Sequence, residues 1–292
     1  MRLPRRLALA LAPALLATGC ATNLATVQTP RTLEPLHVRA YGGGGAYLPV
    51  GQLAEAKKLA DQHAAELKAA QNGNAQLPDQ KTQAEILRLA ASLAVLPPEP
   101  VAEIGGRLGL VKHLDAGFTW STSAWRVDAK WQLTGDKGNF ALALMGGVEV
   151  YTFDVSLYQL ESHLKQASQL FQYAHFQNPQ RYDGEITLLG GWRFFGGVLD
   201  IYLAGKYRLG WYRLPAVLHV DTPNGTLDAK ATLAGLVHYG GGAFGFGIGP
   251  SFVKLFVEVN VGYATSTSSI FGSPEQLGGL AVYPAAALAF KF

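Results

Sequence analysis

The seven histidines of this chain are scattered, and none stands at a metal-ligand spacing; a His-x-x-x-His pair is absent. Asp154, His163, His175 and Asp183 are the only group of Asp and His that resembles the residue set of a hydrolytic site on a barrel. They fall in a stretch of helical periodicity rather than at strand ends, where a rigid site would be held, so the solvated faces of a loop helix explain them better. No Gly-x-Ser-x-Gly elbow offers a nucleophile. Gly42 to Gly45 lies inside a strand pattern and does not lead into a helix, so it is not a phosphate loop. The reading is of no enzyme, no catalytic residue, no metal and no cofactor, with a surface protease or lipid hydrolase as the runner-up.

The other reactive residue is Cys20, the only cysteine, preceded by Leu16-Ala17-Thr18-Gly19. Arg2, Arg5 and Arg6 stand before an apolar stretch from Leu7 to Ala17, the layout of a secretory signal too short to remain as a membrane-spanning helix. Small residues directly before a cysteine resemble a bacterial lipobox, and the resemblance implies that Cys20 is lipidated and becomes the mature N-terminus. Residues 1–19 are then a signal peptide and 20–35 a short polar tether from lipid to fold, anchored on the periplasmic side.

These segments serve an all-β membrane protein. After Cys20 no apolar run approaches the roughly 20 residues of a spanning helix, so any crossing is made by strands. A net charge of +3 is too slight to imply nucleic acid. Strand character appears at 36–48, 100–112, 114–122, 124–134, 139–151, 184–195, 197–212, 233–249, 252–265 and 279–292. Alternation is clean in several: Val253, Leu255, Val257, Val259, Val261 and Tyr263 oppose Lys254, Phe256, Glu258 and Asn260. The last strand ends the chain on Phe292, and its apolar face carries Leu280, Val282, Leu288 and Phe290. One apolar and one polar or small face, repeated about ten times, predicts an antiparallel up-and-down transmembrane β-barrel over 36–292.

With both termini in the periplasm, the links at 112–115, 135–138, 195–197 and 249–252 are short and periplasmic. Those at 49–99, 152–183, 213–232 and 266–278 are long and extracellular. Trp120, Trp125, Trp211 and Tyr263 then mark the outer interface, and Trp131, Phe140, Trp192, Phe194, Phe290 and Phe292 the periplasmic one. Pro284 predicts a bulge or weak pairing in the closing strand, and Gly240 to Gly242 a bulge where facing parity changes. Helical stripes occur in both longest loops: Ala56, Ala60, His63, Leu67 and Ala70, then Ile86, Leu89, Leu93 and Leu96, in 49–99; and Leu157, Leu160, Leu164, Ala167, Phe171 and Ala174 in 152–183. They predict a helical cap.

The same parity turns Arg39, Glu103, Arg107, Arg126, Asp128, Lys130, Glu149, Arg193, Asp200, Lys206, Arg208, Lys254 and Glu258 into the lumen, together with Glu185 and Lys291. Paired charges filling a narrow barrel are the simplest arrangement, with a positive lower half where Arg39, Arg107, Arg193, Lys254 and Lys291 outnumber Asp200. The lipobox, the segment Gln28-Thr29-Pro30-Arg31-Thr32-Leu33 and the hairpin from Glu103 to Gly117 resemble the outer-membrane β-barrel lipoproteins and, more loosely, small barrels of the OmpW or OmpA type. The resemblance implies an outer-membrane protein in contact with lipid and speaks to architecture rather than activity; the role expected of such a filled barrel is passive, a narrow pore for small or apolar solutes or an envelope scaffold.

Overall fold

The computed structural model describes residues 22–62, 96–135, 138–151, 174–176, 180–222, 225–270 and 273–292. Eleven strands follow in order: β1 (Val38–Tyr47), β2 (Glu99–Val111), β3 (Leu114–Ser121), β4 (Ala124–Gln132), β5 (Phe140–Tyr151), β6 (Ala174–Phe176), β7 (Gln180–Phe194), β8 (Leu199–Thr222), β9 (Gly225–Ile248), β10 (Val253–Ile270) and β11 (Ser273–Lys291), with helix α1 (Val50–Gln62) after β1. Ten of them form a closed antiparallel ring in chain order. The seam is β1 against β11, from Arg39↔Lys291 to Gly45↔Ala285. The short β6 lies outside the ring, against Ala216–Leu218 of β8. Closure leaves no open strand edge within the bilayer, as lipid requires.

Alternation sets the two faces. On β4, Arg126, Asp128 and Lys130 are buried while Trp125, Val127 and Trp131 are exposed. On β10, Lys254, Phe256, Glu258 and Asn260 point in, and Leu255, Val259, Val261 and Tyr263 point out. The outward residues form a continuous apolar surface around the ring, including Val148 at 62% exposure and Ile104 at 57%. In water such a surface would be a liability; against lipid it is the solvated face. Aromatics collect at both ends: Trp125 lies 5.4 Å from Phe118 and Tyr182 stacks on Trp211 at 6.1 Å near the outer rim, while Phe140 meets Trp192 at 5.0 Å near the periplasmic one. The fold is that of a transmembrane β-barrel.

Several expectations are corrected. The segments 213–232 and 266–278 are not loose loops: β8 and β9 stay paired to Thr222↔Gly225, and β10 and β11 to Ile270↔Ser273. With 24 residues each, β8 and β9 are more than twice the 9 to 11 or so that cross a bilayer, so these hairpins rise well above the outer surface. Gly240 to Gly242 carries no bulge, since both ladders of β9 run through it in register. Its glycines instead admit the Tyr239 ring, whose hydroxyl would lie 2.5 Å from a Cβ at Gly241. Opposite Pro284 the seam ladder does lapse, stopping at Gly45↔Ala285 and resuming as the single bridge Leu48↔Val282 in unchanged register, so pairing weakens without a bulge.

Of the helical cap, α1 packs on β11, where Gly51 and Gly279 meet backbone to backbone. Ala174, taken as the end of a helical stripe, belongs to strand β6. His63 to Leu93 and Leu157 to Phe171 lie outside the described residues.

Because the apolar band faces lipid, Val259→Arg, midway between Leu255 and Tyr263 on the outward face of β10, costs about 2–4 kcal/mol of folding free energy in vesicles, whereas Phe195→Arg, 79% exposed at a periplasmic turn, costs about 0–1 kcal/mol. Urea titration of both variants checks this, and equal costs would refute the lipid-facing assignment.

Candidate functional site

Inward alternation brings charge from many strands into one narrow space. At the periplasmic end Arg193 and Lys254 share Asp200, with Arg193 Nε 3.2 Å from its carboxylate. Higher up, Arg107 donates to Asp115 at 2.6 and 3.0 Å and to Asp128 at 2.5 Å, and Lys130 Nζ is 3.4 Å from Asp115. Glu258 accepts from the Tyr202 hydroxyl at 2.8 Å and from Asn260 at 2.7 Å, with Lys206 3.5 Å away. At the outer end Arg208 lies 2.8 Å from Glu149 and 2.7 Å from Glu185, and Arg181 pairs with Asp183 at 2.7 Å while standing 4.4 Å over the Tyr151 ring.

The lumen holds more than side chains. Residues 22–33, expected as a tether outside the fold, run through it without regular secondary structure, turning at Val27 (φ 37°), and are largely buried. The exposed turn around Glu34 to His37 at the periplasmic end, closed by His37 N–H donating to the Glu34 carbonyl at 3.1 Å, connects this segment to β1. From there the segment rises past Asp115 and Lys130 to Thr22, whose hydroxyl accepts from Arg181 at 3.0 Å near the outer rim.

Cations on the wall reach its carbonyls: Arg208 to Asn23 at 2.8 Å, Lys206 to Leu24, Arg126 to Ala25 at 3.2 Å, and Lys130 to Thr29 and Arg31 at 3.0 Å each. Carboxylates and an amide reach its N–H groups: Glu258 accepts from Thr26 and Val27 at 2.9 Å each, Gln132 from Thr32 at 3.0 Å, and Asp115 from Leu33 at 3.1 Å. Leu24, Ala25 and Val27 pack in an apolar cluster with Tyr202, Phe256 and Tyr283. Glycine makes room for this packing: a Cβ at Gly45 would sit 2.5 Å from the Tyr283 ring, whose hydroxyl donates to Asn23 Oδ1 at 3.0 Å.

Of the residues assigned inward, Glu103, Arg107, Arg126, Asp128, Lys130, Glu149, Asp200, Lys206, Arg208, Lys254 and Glu258 are buried. Arg39 and Arg193 are only partly so, at the periplasmic rim. The positive lower half is offset, because Asp115, 0% exposed on β3, stands beside Arg107 and Lys130. Strand parity carries Asp115 inward too, so the signal for it was present. Arg181 was missed because β7 begins at Gln180, inside what reads as loop. Asp183 leaves the hydrolytic group: its carboxylate is occupied by Arg181 and Arg208. Asp154, His163 and Cys20 lie outside the described residues. Among the described residues no cluster of His, Cys, Asp and Glu is set to hold a metal.

No family model and no curated protein matches the chain. Among solved structures, the outer-membrane protease OmpT of Escherichia coli aligns over 90% of this chain and 100% of its own at 11% identity and a TM-score of 0.38. Ail, the attachment invasion locus protein of Yersinia pestis, aligns over 88% and 99% at 6% identity and a TM-score of 0.30. Neisserial surface protein A aligns over 88% and 97% at 10% identity and a TM-score of 0.27.

Asp115 answers two cations and a backbone N–H, so Asp115→Ala strands buried charge and costs about 3–5 kcal/mol. Arg193→Ala, at the half-open rim, costs less than about 1 kcal/mol. Refolding equilibria of the two variants in vesicles test the contrast.

Proposed function

We propose that this protein is a closed outer-membrane barrel acting as an envelope scaffold rather than as an open pore. The observation that carries this reading is the burial of residues 22–33 along the lumen. A ten-stranded barrel is near the size that side chains alone can fill, and here a length of main chain shares that space with them. Opening a path for solute would strip wall cations of their carbonyl partners and carboxylates of their N–H partners, each a costly loss. The hydrolase alternative loses support with Asp183 committed to two guanidiniums.

Lipidation at Cys20 belongs to the same proposal, but its side changes. Residues 22–33 carry the chain from the periplasmic opening to the outer rim, and two residues reach at most about 7 Å beyond Thr22. An anchor at Cys20 is therefore better matched to the outer end of the barrel than to the periplasmic side.

Two measurements test the proposal. In planar bilayers the intact protein gives no stable conductance step; a well-defined open channel would overturn the closed reading. Cys20→Ala abolishes labelling by a palmitate analogue, and an epitope inserted after residue 21 stains intact cells. Staining only after the outer membrane is permeabilised would return the N-terminal end to the periplasm.

A further inference from the structure

The wall reads residues 22–33 chiefly through their main chain. The carbonyls of Asn23, Leu24, Ala25, Thr29 and Arg31 each receive a cationic donor, and the N–H groups of Thr26, Val27 and Leu33 each meet a carboxylate. These donors and acceptors come from β3, β4, β8 and β10, so the pattern belongs to the lumen as a whole. Side-chain recognition is sparser and centres on Asn23, held by Glu103 and Tyr283, and Gln28, held by Lys130 and Met145. Bonding to the main chain supplies affinity with little sequence demand, and the few contacts to side chains supply what specificity there is.

We infer that the lumen is a binding site for a peptide segment that is uncharged over its inner stretch, Thr22 to Pro30, and of which residues 22–33 are the resident occupant; its one charged side chain, Arg31, lies toward the periplasmic end and donates to the Gly138 carbonyl at 2.5 Å. Charge-assisted bonds to amide groups are the strong class of neutral-partner hydrogen bond, and they require no charge on the ligand. A charged residue at the middle of the peptide is excluded, because the wall's cations and carboxylates there are taken up by one another and by the segment's neutral amide groups. The apolar cluster around Leu24, Ala25 and Val27 sets small to medium aliphatic side chains at those positions. The inference shares the occupied lumen with the scaffold reading but not its outcome, since conductance and peptide exchange are read separately.

The test starts from the full chain carrying a specific protease site in the exposed Glu34–Leu36 link, folded intact in micelles and cut only afterwards. A fluorescent synthetic peptide of sequence 22–33 is then added, and its anisotropy and the release of the resident fragment are followed. Uptake of the label is expected. A competitor with alanine at the Asn23 and Gln28 positions is weaker by no more than about tenfold, whereas one N-methylated at the Thr26 and Val27 positions is weaker by about a hundredfold or more. Glu258→Gln in the barrel reduces uptake while the heat-resistant gel migration of the barrel is retained. Equal competition by the N-methylated peptide would overturn the inference. So would failure to exchange after complete cutting, or loss of the barrel on cutting, since either makes the segment an inseparable part of the fold.

Discussion

A charge carried on an inward position of a barrel strand has only the lumen in which to find a partner, and the lipid outside gives the wall no freedom to turn it away. In this barrel the wall charges outrun what they can settle among themselves. Arg208 divides its guanidinium between Glu149, Glu185 and the Asn23 carbonyl, and Lys130 divides its ammonium between Asp115 and two further carbonyls. Peptide groups from residues 22–33 complete the account. Asp115 and Glu258 join the two systems, each binding wall cations or hydroxyls on one side and segment N–H groups on the other.

The glycines follow from the same requirement. Several large inward rings occupy space that a nearby glycine leaves open: Tyr202 lies against Gly245, Tyr239 against Gly241 and Gly262, Tyr41 against Gly105, and Tyr283 against Gly45. The rings bring hydroxyls to the centre, where Tyr202 meets Glu258, Tyr41 meets Thr119 and Tyr283 meets Asn23. What reads in the sequence as a glycine-rich barrel is, in space, a set of seats for tyrosines.

Much of this was legible beforehand and part was not, for physical reasons. Period-two alternation is a local signal, so the transmembrane stretch of each strand, its facing and the aromatic belts follow from residues such as Trp125 to Trp131 or Val253 to Tyr263. Strand ends above the bilayer carry no lipid-facing demand, and 213–222 and 225–232 therefore read as loop although they pair. Residues 22–33 have no period at all, and the partners that bury them are remote in sequence: Asn23 meets Tyr283 across a separation of 260 residues. The inward charges could be named one by one, but what they bind could not, because a main-chain carbonyl looks the same in every residue.

A ring that encloses a stretch of its own chain cannot be assembled in an arbitrary order. Residues 22–33 are joined to β1 by the short turn at Glu34 to His37, and β1 is half of the seam that closes the ring against β11. The segment is therefore carried by one strand of the seam and runs in the opposite sense to it. Pairing of β1 with β11 and occupancy of the lumen are tied together through the four residues Glu34 to His37, so a change that displaces the seam strand also draws on the filling of the barrel.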